Sequence, residues 1–394
     1  MKMHKGAVGD VSQIPSTSEF ASSTRNQQPI RVLQVFGTLD RGGAETSIMT
    51  YYRAVDRERV QFDFVVHGAR RGAFEGEVLA LGGKIHRVPR PSVLGLTAHL
   101  RAWWELLRAH PEYRIVHGHY FTISGVYLAI AKLHGRRVIA HAHSAYPGVA
   151  GILIMILNHW LRYGADLKLA CSTVAARSFY GDGAVEKGQV VILKNPIEVD
   201  RFAFDPSVRT ITRQRLGLTD RFVLGHVGRF NPPKNHVFLL DVLEAAKKLD
   251  PRVALLLVGD GSLRRTIERR VAQRGLSDSV VFVGAVQDVP SLLQAMDVFV
   301  LPSLFEGFGV VAIEAQASGL PAVLSDAVPA ETRVSDLVEV VPLASPASHW
   351  ASVVMGHSAS SSRVSRVDDI RRAGFDGKDN AEYLMSLYAG ISGK

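Results

Sequence analysis

The sequence predicts an α/β protein made of two doubly wound parallel-sheet domains that face each other across a cleft. Three observations carry this. Short apolar strands alternate with helical patterns along most of the chain, the signature of parallel βαβ units. The strand-loop-helix grammar that begins at Ile30 restarts at Phe222. Finally, 394 residues are long for one hydrophobic core and natural for two.

The first 29 residues are rich in Ser, Thr, Gln and Gly and hold no apolar run. They read as a disordered tail, with neither a signal peptide nor a membrane anchor. A first domain follows over residues 30–205. Ile30-Arg-Val-Leu-Gln-Val-Phe36 is its first strand, residues 37–43 a loop, and Ala44 to Ala54 a helix with Glu45 in its first turn. Further strands are expected at 62–66, 84–88, 115–118, 137–141, 167–170 and 190–193, with helical patterns such as 96–110 and 124–134 between them.

A charged, turn-rich connection around 200–220 leads to the second domain, residues 206–375. Its strands are expected at 222–228, 254–258, 280–283, 298–301, 322–324 and 338–341, and its helices at 237–249, 262–274, 289–295 and 310–318. Residues 376–394 carry an amphipathic pattern from Asn380 to Tyr388, a terminal helix placed to return to the first domain. In open α/β sheets, ligands bind beyond the carboxyl ends of the strands.

Composition narrows the functions. The single cysteine, Cys171, follows apolar Leu169-Ala170 and reads as a small core residue, leaving no disulfide framework and no Cys-based zinc site. A net charge of +9 favours an anionic partner. Nucleic acid is disfavoured, since no zinc knuckle, aromatic sheet signature or dense Lys/Arg tract is present. The longest apolar run, Val149 to Leu157, is nine residues and too short to span a bilayer. With His159, Trp160, Arg162 and Tyr163 after it, that run reads either as a buried helix or as a membrane-surface contact.

Chemistry concentrates at the loops that follow strands. Leu301-Pro-Ser-Leu-Phe-Glu-Gly-Phe-Gly-Val310 runs from a buried strand into a helix, with Gly307 and Gly309 allowing a tight turn around Phe308. Such a turn aims free N–H groups and the positive helix end at an anion. Glu306 and Glu314 flank that position and can accept hydrogen bonds from hydroxyls. Gly228-Arg-Phe-Asn-Pro-Pro-Lys234 holds Arg229 and Lys234 in a loop stiffened by Pro232 and Pro233. Two fixed cations suit a diphosphate leaving group. Gly42-Gly43 permits close backbone approach after the first strand but lacks the G-x-G-x-x-G fingerprint, which disfavours a nicotinamide cofactor. Gly259-Asp-Gly261 reads mainly as architecture.

Histidines mark two strand ends, His117-Gly-His119 and His141-Ala-His143. Alternation sends His117 and His119 to one face, where two imidazoles can in principle hold a metal. No acidic partner lies nearby and the chain has no Asp-x-Asp, so no metal site is expected. Hydrogen bonding to a polar substrate is the expected role, with a structural histidine as the alternative.

Together these pieces resemble glycosyltransferase family 4, the retaining enzymes of GT-B fold. The resemblance covers roughly residues 30–341 and is carried by Arg41-Gly-Gly-Ala-Glu45, His117-Gly-His119, Gly228-Arg-Phe with Lys234, Gly259-Asp-Gly261, and Glu306 with Glu314. Val32-Leu-Gln-Val-Phe36, Ala140-His-Ala-His-Ser144, Leu169-Ala-Cys-Ser172 and Glu314-Ala-Gln-Ala-Ser-Gly-Leu-Pro321 look most like the exopolysaccharide and capsule transferases.

The resemblance implies that Arg229 and Lys234 hold the donor diphosphate, Glu306 the transferred sugar and Glu314 the ribose. The N–H groups from Gly307 to Val310 complete the cradle behind Gly228. His119 approaches the donor sugar and reaction centre, and Gly42 and Gly43 border the acceptor and phosphate side. It further implies a nucleoside-diphosphate sugar donor, expected to be a UDP-sugar, and no cofactor or divalent metal. The acceptor is a saccharide, expected to be lipid-linked, which places the protein in the cytoplasm or on the inner face of the membrane. A sugar-nucleotide epimerase of the same fold and a catalytically dead sugar-nucleotide binder are the alternatives.

Overall fold

The computed structural model describes residues 28–90, 95–119, 123–143, 156, 158–359 and 363–393. The expected tail over 1–29 lies almost wholly outside the described residues, as do most of the apolar run Val149 to Leu157 and part of the loop at 358–362. The chain divides into two compact units, Met1–Leu193 with Ala381–Lys394, and Lys194–Asn380. These divisions differ from the 205/206 and 375/376 boundaries read from sequence. The reason is local: the 194–205 stretch bonds within the second unit, through an isolated bridge of Ile197 to Asp376 and Phe204 N–H to Ser365 Oγ.

The first unit is a seven-stranded sheet in the order β3-β2-β1-β4-β5-β6-β7. Its strands are β1 (Ile30–Phe36), β2 (Val60–His67), β3 (Ile85–Val88), β4 (Ile115–Gly118), β5 (Arg137–Ala142), β6 (Leu167–Ala170) and β7 (Val191–Ile192). All pairings are parallel. Every residue of β2 is buried, as expected of a strand covered on both faces. Helices α1 (Gly43–Ala54), α2 (Leu96–Ala109) and α3 (Ser124–Leu133) follow β1, β3 and β4.

The second unit is a six-stranded parallel sheet in the order β10-β9-β8-β11-β12-β13. Its strands are β8 (Phe222–Val227), β9 (Val253–Val258), β10 (Val280–Gly284), β11 (Val298–Leu301), β12 (Ala322–Ser325) and β13 (Val338–Val341). Its core packs Leu255, Leu257, Val298 and Val300 against Leu239, Leu243 and fully buried Trp350. Helices used below are α4 (Pro206–Leu216), α5 (His236–Leu249) and α6 (Val310–Ala317). The sequence reading treats 200–220 as a connection, but α4 lies within it. The signals are present: Asp205 caps the helix by accepting from Ser207 and Val208 N–H, Pro206 opens it, and Gly217 ends it in the left-handed conformation.

The last helix, α7 (Gly377–Ser392), buries Ala381, Leu384, Met385 and Tyr388 in the core of the first unit. Their spacing forms one apolar stripe. Tyr388 meets Phe62 edge-on at 5.9 Å.

In each sheet the strand order reverses at one point, between β1 and β4 in the first unit and between β8 and β11 in the second. At such switch points adjacent loops part and leave a crevice. The loops after these four strands carry Gly42, Gly43, His119, Gly228 to Lys234, and Glu306 to Val310.

Candidate active site

In the second unit, the loops after β8 and β11 are joined by a hydrogen bond from Leu304 N–H to Pro233 O of 2.7 Å. Pro232–Lys234 forms one 3-10 turn, and Asn235, at φ 54°, is the only non-glycine residue with positive φ among those described. That turn delivers Lys234 onto Glu306: Nζ donates to Oε1 at 2.6 Å, and Ser303 Oγ donates to the same oxygen at 2.6 Å. Lys234 and Glu306 are only 17% and 9% exposed. Charge-assisted bonds of this length are strong. No hydrogen bond from the described residues falls on Oε2, which leaves that oxygen for a ligand hydroxyl.

The sequence reading gives Lys234 to phosphate and Glu306 to sugar, and the structure adds that the two orient each other. Arg229 differs from expectation. Its side chain is exposed and makes no hydrogen bond or ion pair with the described residues, so Pro-Pro stiffening fixes Lys234 and leaves Arg229 in solvent.

Gly259-Asp-Gly261 is the scaffold beneath this loop, as its architectural reading anticipates. Phe230 N–H donates to Asp260 O at 3.0 Å and Gly228 N–H to Val258 O at 2.9 Å. A Cβ on Gly259 would lie 2.0 Å from Gly228 O. Gly228 itself faces the Lys234 stem, since a Cβ there would come within 3.2 Å of Cδ and Cε.

The Glu306-Gly-Phe-Gly turn enters α6 through Gly309, which sits at φ 88°, ψ 48° as the N-cap. Only glycine takes this conformation without strain. Phe308 is buried and packs on Phe375 at 5.7 Å. The first N–H groups of α6, from Val310 onward, have no intrahelical acceptor and carry the positive end of the helix; Gly307 precedes them in the turn.

Glu314 lies in the second turn of α6. The residue is half-buried, yet protein crowds its carboxyl, and burial pushes it up to about 7, with Arg201 pulling weakly the other way. The group therefore donates as well as accepts near neutrality. Because the folded value exceeds the unfolded 4.5, the protein loses stability as pH rises through this window. Glu314→Gln should match wild type in urea midpoint at pH 4.5. At pH 8 it should be more stable, by roughly 1–2 kcal/mol once residual solvent access is discounted. Equal midpoints at pH 8 would refute the shift.

In the first unit, parallel pairing of β4 with β5, in the register Gly118↔Ala140, brings the two histidine pairs side by side. The expected His117/His119 pair is present, with ring centroids 4.0 Å apart. His119 is buried, stacks on Phe36 at 4.4 Å, and uses both nitrogens: Nδ1 meets His143 Nε2 at 2.8 Å and Nε2 meets Gln34 Oε1 at 2.8 Å. His117 Nδ1 meets Tyr388 Oη at 2.8 Å and its Nε2 meets His141 Nδ1 at 3.3 Å. Gln34 Nε2 closes the network by donating to Tyr388 Oη at 3.0 Å. Burial holds all four imidazoles well below the usual histidine range, His143 down to about 3. They are neutral at physiological pH.

Gln34 and Tyr388 are not among the candidates read from sequence, whereas His141 and His143 are named there only as a second strand-end pair. Gln34 had a signal, because a polar residue inside the apolar strand Val32-Leu-Gln-Val-Phe36 needs a buried partner. Gly42 is the N-cap of α1 and a Cβ there would meet only the Glu45 side chain. A Cβ on Gly43 would meet nothing within 4 Å, so its surroundings are open.

Two families match the chain, Glycosyl transferase 4-like domain over residues 42–196 and Glycosyl transferases group 1 over residues 208–339. EpsF of Bacillus subtilis (strain 168), a protein assigned as a glycosyltransferase, is 32% identical over 374 residues, 92% of this chain and 97% of that protein. The Escherichia coli UDP-Gal:alpha-D-GlcNAc-diphosphoundecaprenol alpha-1,3-galactosyltransferase is 28% identical over 55% of this chain and 58% of its own length. Among solved structures, Anabaena HepE in complex with UDP and glucose superposes with a TM-score of 0.76 at 20% identity, covering 91% of this chain and 99% of that one. WaaG, a glycosyltransferase involved in lipopolysaccharide biosynthesis, gives 0.69 at 18% identity over 91% and 99%. At these identities the structures speak for the fold alone.

Proposed function

The chain belongs to glycosyltransferase family 4 with its GT-B fold, and on that premise we propose that it moves a sugar from a nucleoside-diphosphate donor to a saccharide acceptor. The observation that carries this is the Lys234–Glu306–Ser303 constellation set beside the start of α6. Lys234 and the first N–H groups of α6 stabilise the departing nucleoside diphosphate, whose charge grows as the bond breaks. Arg229, free in solvent, swings onto the same diphosphate. Glu306 turns Oε2 to the hydroxyls of the transferred sugar, and Glu314 holds the ribose.

The anomeric configuration is retained. The site offers cations and the helix dipole to the leaving group in place of a nucleophile, which favours a front-face path. In that path the leaving phosphate takes the acceptor proton. The reaction needs no bound divalent metal.

The donor is a UDP-sugar and the acceptor a lipid-linked saccharide in exopolysaccharide or capsule assembly. The donor and acceptor in the name of the Escherichia coli relative, the UDP bound to HepE and the likeness to EpsF support these assignments. No helix among the described residues is long and apolar enough to cross a membrane. A lipid-linked acceptor and the +9 charge favour work at the cytoplasmic face of the membrane through peripheral contact.

A thermal-shift screen across UDP-, GDP- and ADP-sugars tests the reading. A ligand at 100 times its Kd stabilises the folded state by about 2.7 kcal/mol, so one UDP-sugar should stand clear of the rest. That sugar should be passed to an acceptor with release of UDP. A flat screen would refute the donor assignment, and release of an altered free sugar nucleotide without acceptor would identify an epimerase.

A further inference from the structure

We propose that His117, His119 and His141, at the ends of β4 and β5, form a binding site for one first-row transition-metal ion of the zinc type, held by imidazole nitrogens inside the first unit. The sequence reading expects no metal because it finds no acidic partner and no Asp-x-Asp, and it places only His117 and His119 on a shared face. The sheet register supplies a second pair beside it. His117, His119 and His141 each offer a ring nitrogen, and these atoms all lie within 4.8 Å of one another.

The inward nitrogens face each other in two couples, His117 Nε2 with His141 Nδ1 at 3.3 Å and His119 Nδ1 with His143 Nε2 at 2.8 Å. Zinc–nitrogen bonds of about 2.0–2.1 Å set tetrahedral ligand edges of roughly 3.3 Å, the separation at which His117 Nε2 and His141 Nδ1 already stand. Imidazole donors suit zinc, copper and nickel.

One further observation points the same way. The ligand rings are already oriented from behind, His117 by Tyr388 Oη and His119 by Gln34 Oε1. Outer hydrogen bonds of this kind fix the tautomer of metal-binding histidines.

Proton balance is simple. As the ion binds one nitrogen each of His117, His119 and His141, each neutral ring keeps its single proton on its other nitrogen. His117 Nδ1–H then donates to Tyr388 and His119 Nε2–H to Gln34, and no proton is released. The ion is not required by the sugar transfer proposed above, and the inference stands whether or not that reading holds.

The test is titration of metal-free, tag-free full-length protein with CoCl2, followed by visible absorption, and with ZnCl2 by calorimetry. The expected result is one saturating equivalent with the intense bands of four-coordinate cobalt, bleached by zinc. His117→Ala and His141→Ala should weaken binding at least about 100-fold, Tyr388→Phe by roughly 10–100-fold, and exposed His349→Ala not at all. Circular dichroism confirms that each variant is folded, and His141→Gln substitutes where the alanine variant is not. Failure of the wild type to show a saturable four-coordinate spectrum overturns the proposal, as does binding that His117→Ala and His141→Gln leave intact.

Discussion

Lys234→Ala should lower kcat/KM for sugar transfer by about 10²–10³-fold, the cost of removing one preorganised donor from a developing negative charge. The prediction rests on how firmly the ammonium is placed. Its stem runs past Gly228, its head is held by Glu306, and the turn beneath it is stiffened by two prolines. Little reorganisation is needed when the leaving group develops charge. The loss should fall mostly on kcat, because charge on the leaving oxygen is greatest in the transition state.

Glu306→Ala should be equally severe for a different reason. It removes the sugar contact and leaves a nearly buried ammonium unpaired, an arrangement that costs about 3–5 kcal/mol at buried pairs. Lys234→Arg should rescue only in part, since a planar guanidinium does not substitute for a compact point charge on that stem. The measurement is nucleoside-diphosphate release with donor and acceptor present. Wild-type turnover in both alanine variants would remove these residues from the site.

Gly259→Ala should be the most damaging single methyl in the second unit. The residue sits at φ 135°, and its Cβ would stand 2.0 Å from Gly228 O. Positive-φ strain of roughly 1–3 kcal/mol adds to overpacking of roughly 1–3 kcal/mol. A loss near 3 kcal/mol corresponds to a fall in Tm of roughly 6–12 °C for a unit of this size. Backbone must yield, because the clashing atom is a carbonyl oxygen and not the end of a flexible side chain. The atom that moves belongs to the loop carrying Arg229 and Lys234, so residual activity should drop even below the melting point. Gly183→Ala is the control, with nothing within 4 Å of its Cβ and a helical position. A Gly259→Ala melting curve matching that control would contradict the packing argument.

The short apolar runs make all thirteen strands among the described residues legible, with ends displaced by at most two residues, because parallel strands buried on both faces leave strong local signals. The strand-end loops were legible for the same reason: glycine, proline and charge stand out against their apolar neighbours. Helix α4 was missed because its charged, polar face hid the capping signals at Asp205, Pro206 and Gly217. Of the histidine network, only the two strand-end pairs and the shared face of His117 and His119 are legible in the sequence. The rest depends on the register of β4 against β5, on Gln34 from a third strand, and on Tyr388 from the far end of the chain. Pairings of that kind are set by tertiary packing, which no short window contains. Glu314 was found as a candidate, but its raised carboxyl required burial to be seen.

The Gln34 to Tyr388 contact joins residues 354 apart in the chain. Its consequence lies in biosynthesis. A ribosome delivers β1 well before the stripe of Ala381, Leu384, Met385 and Tyr388 that covers the apolar surface around Phe62, with Tyr388 emerging 354 residues after Gln34. Until then the nascent first unit waits with that surface bare, and closing so long a loop is slow. Stop codons a dozen residues early should therefore yield chains that chaperones retain and proteases remove, although every residue of the sugar-handling loops has already been made.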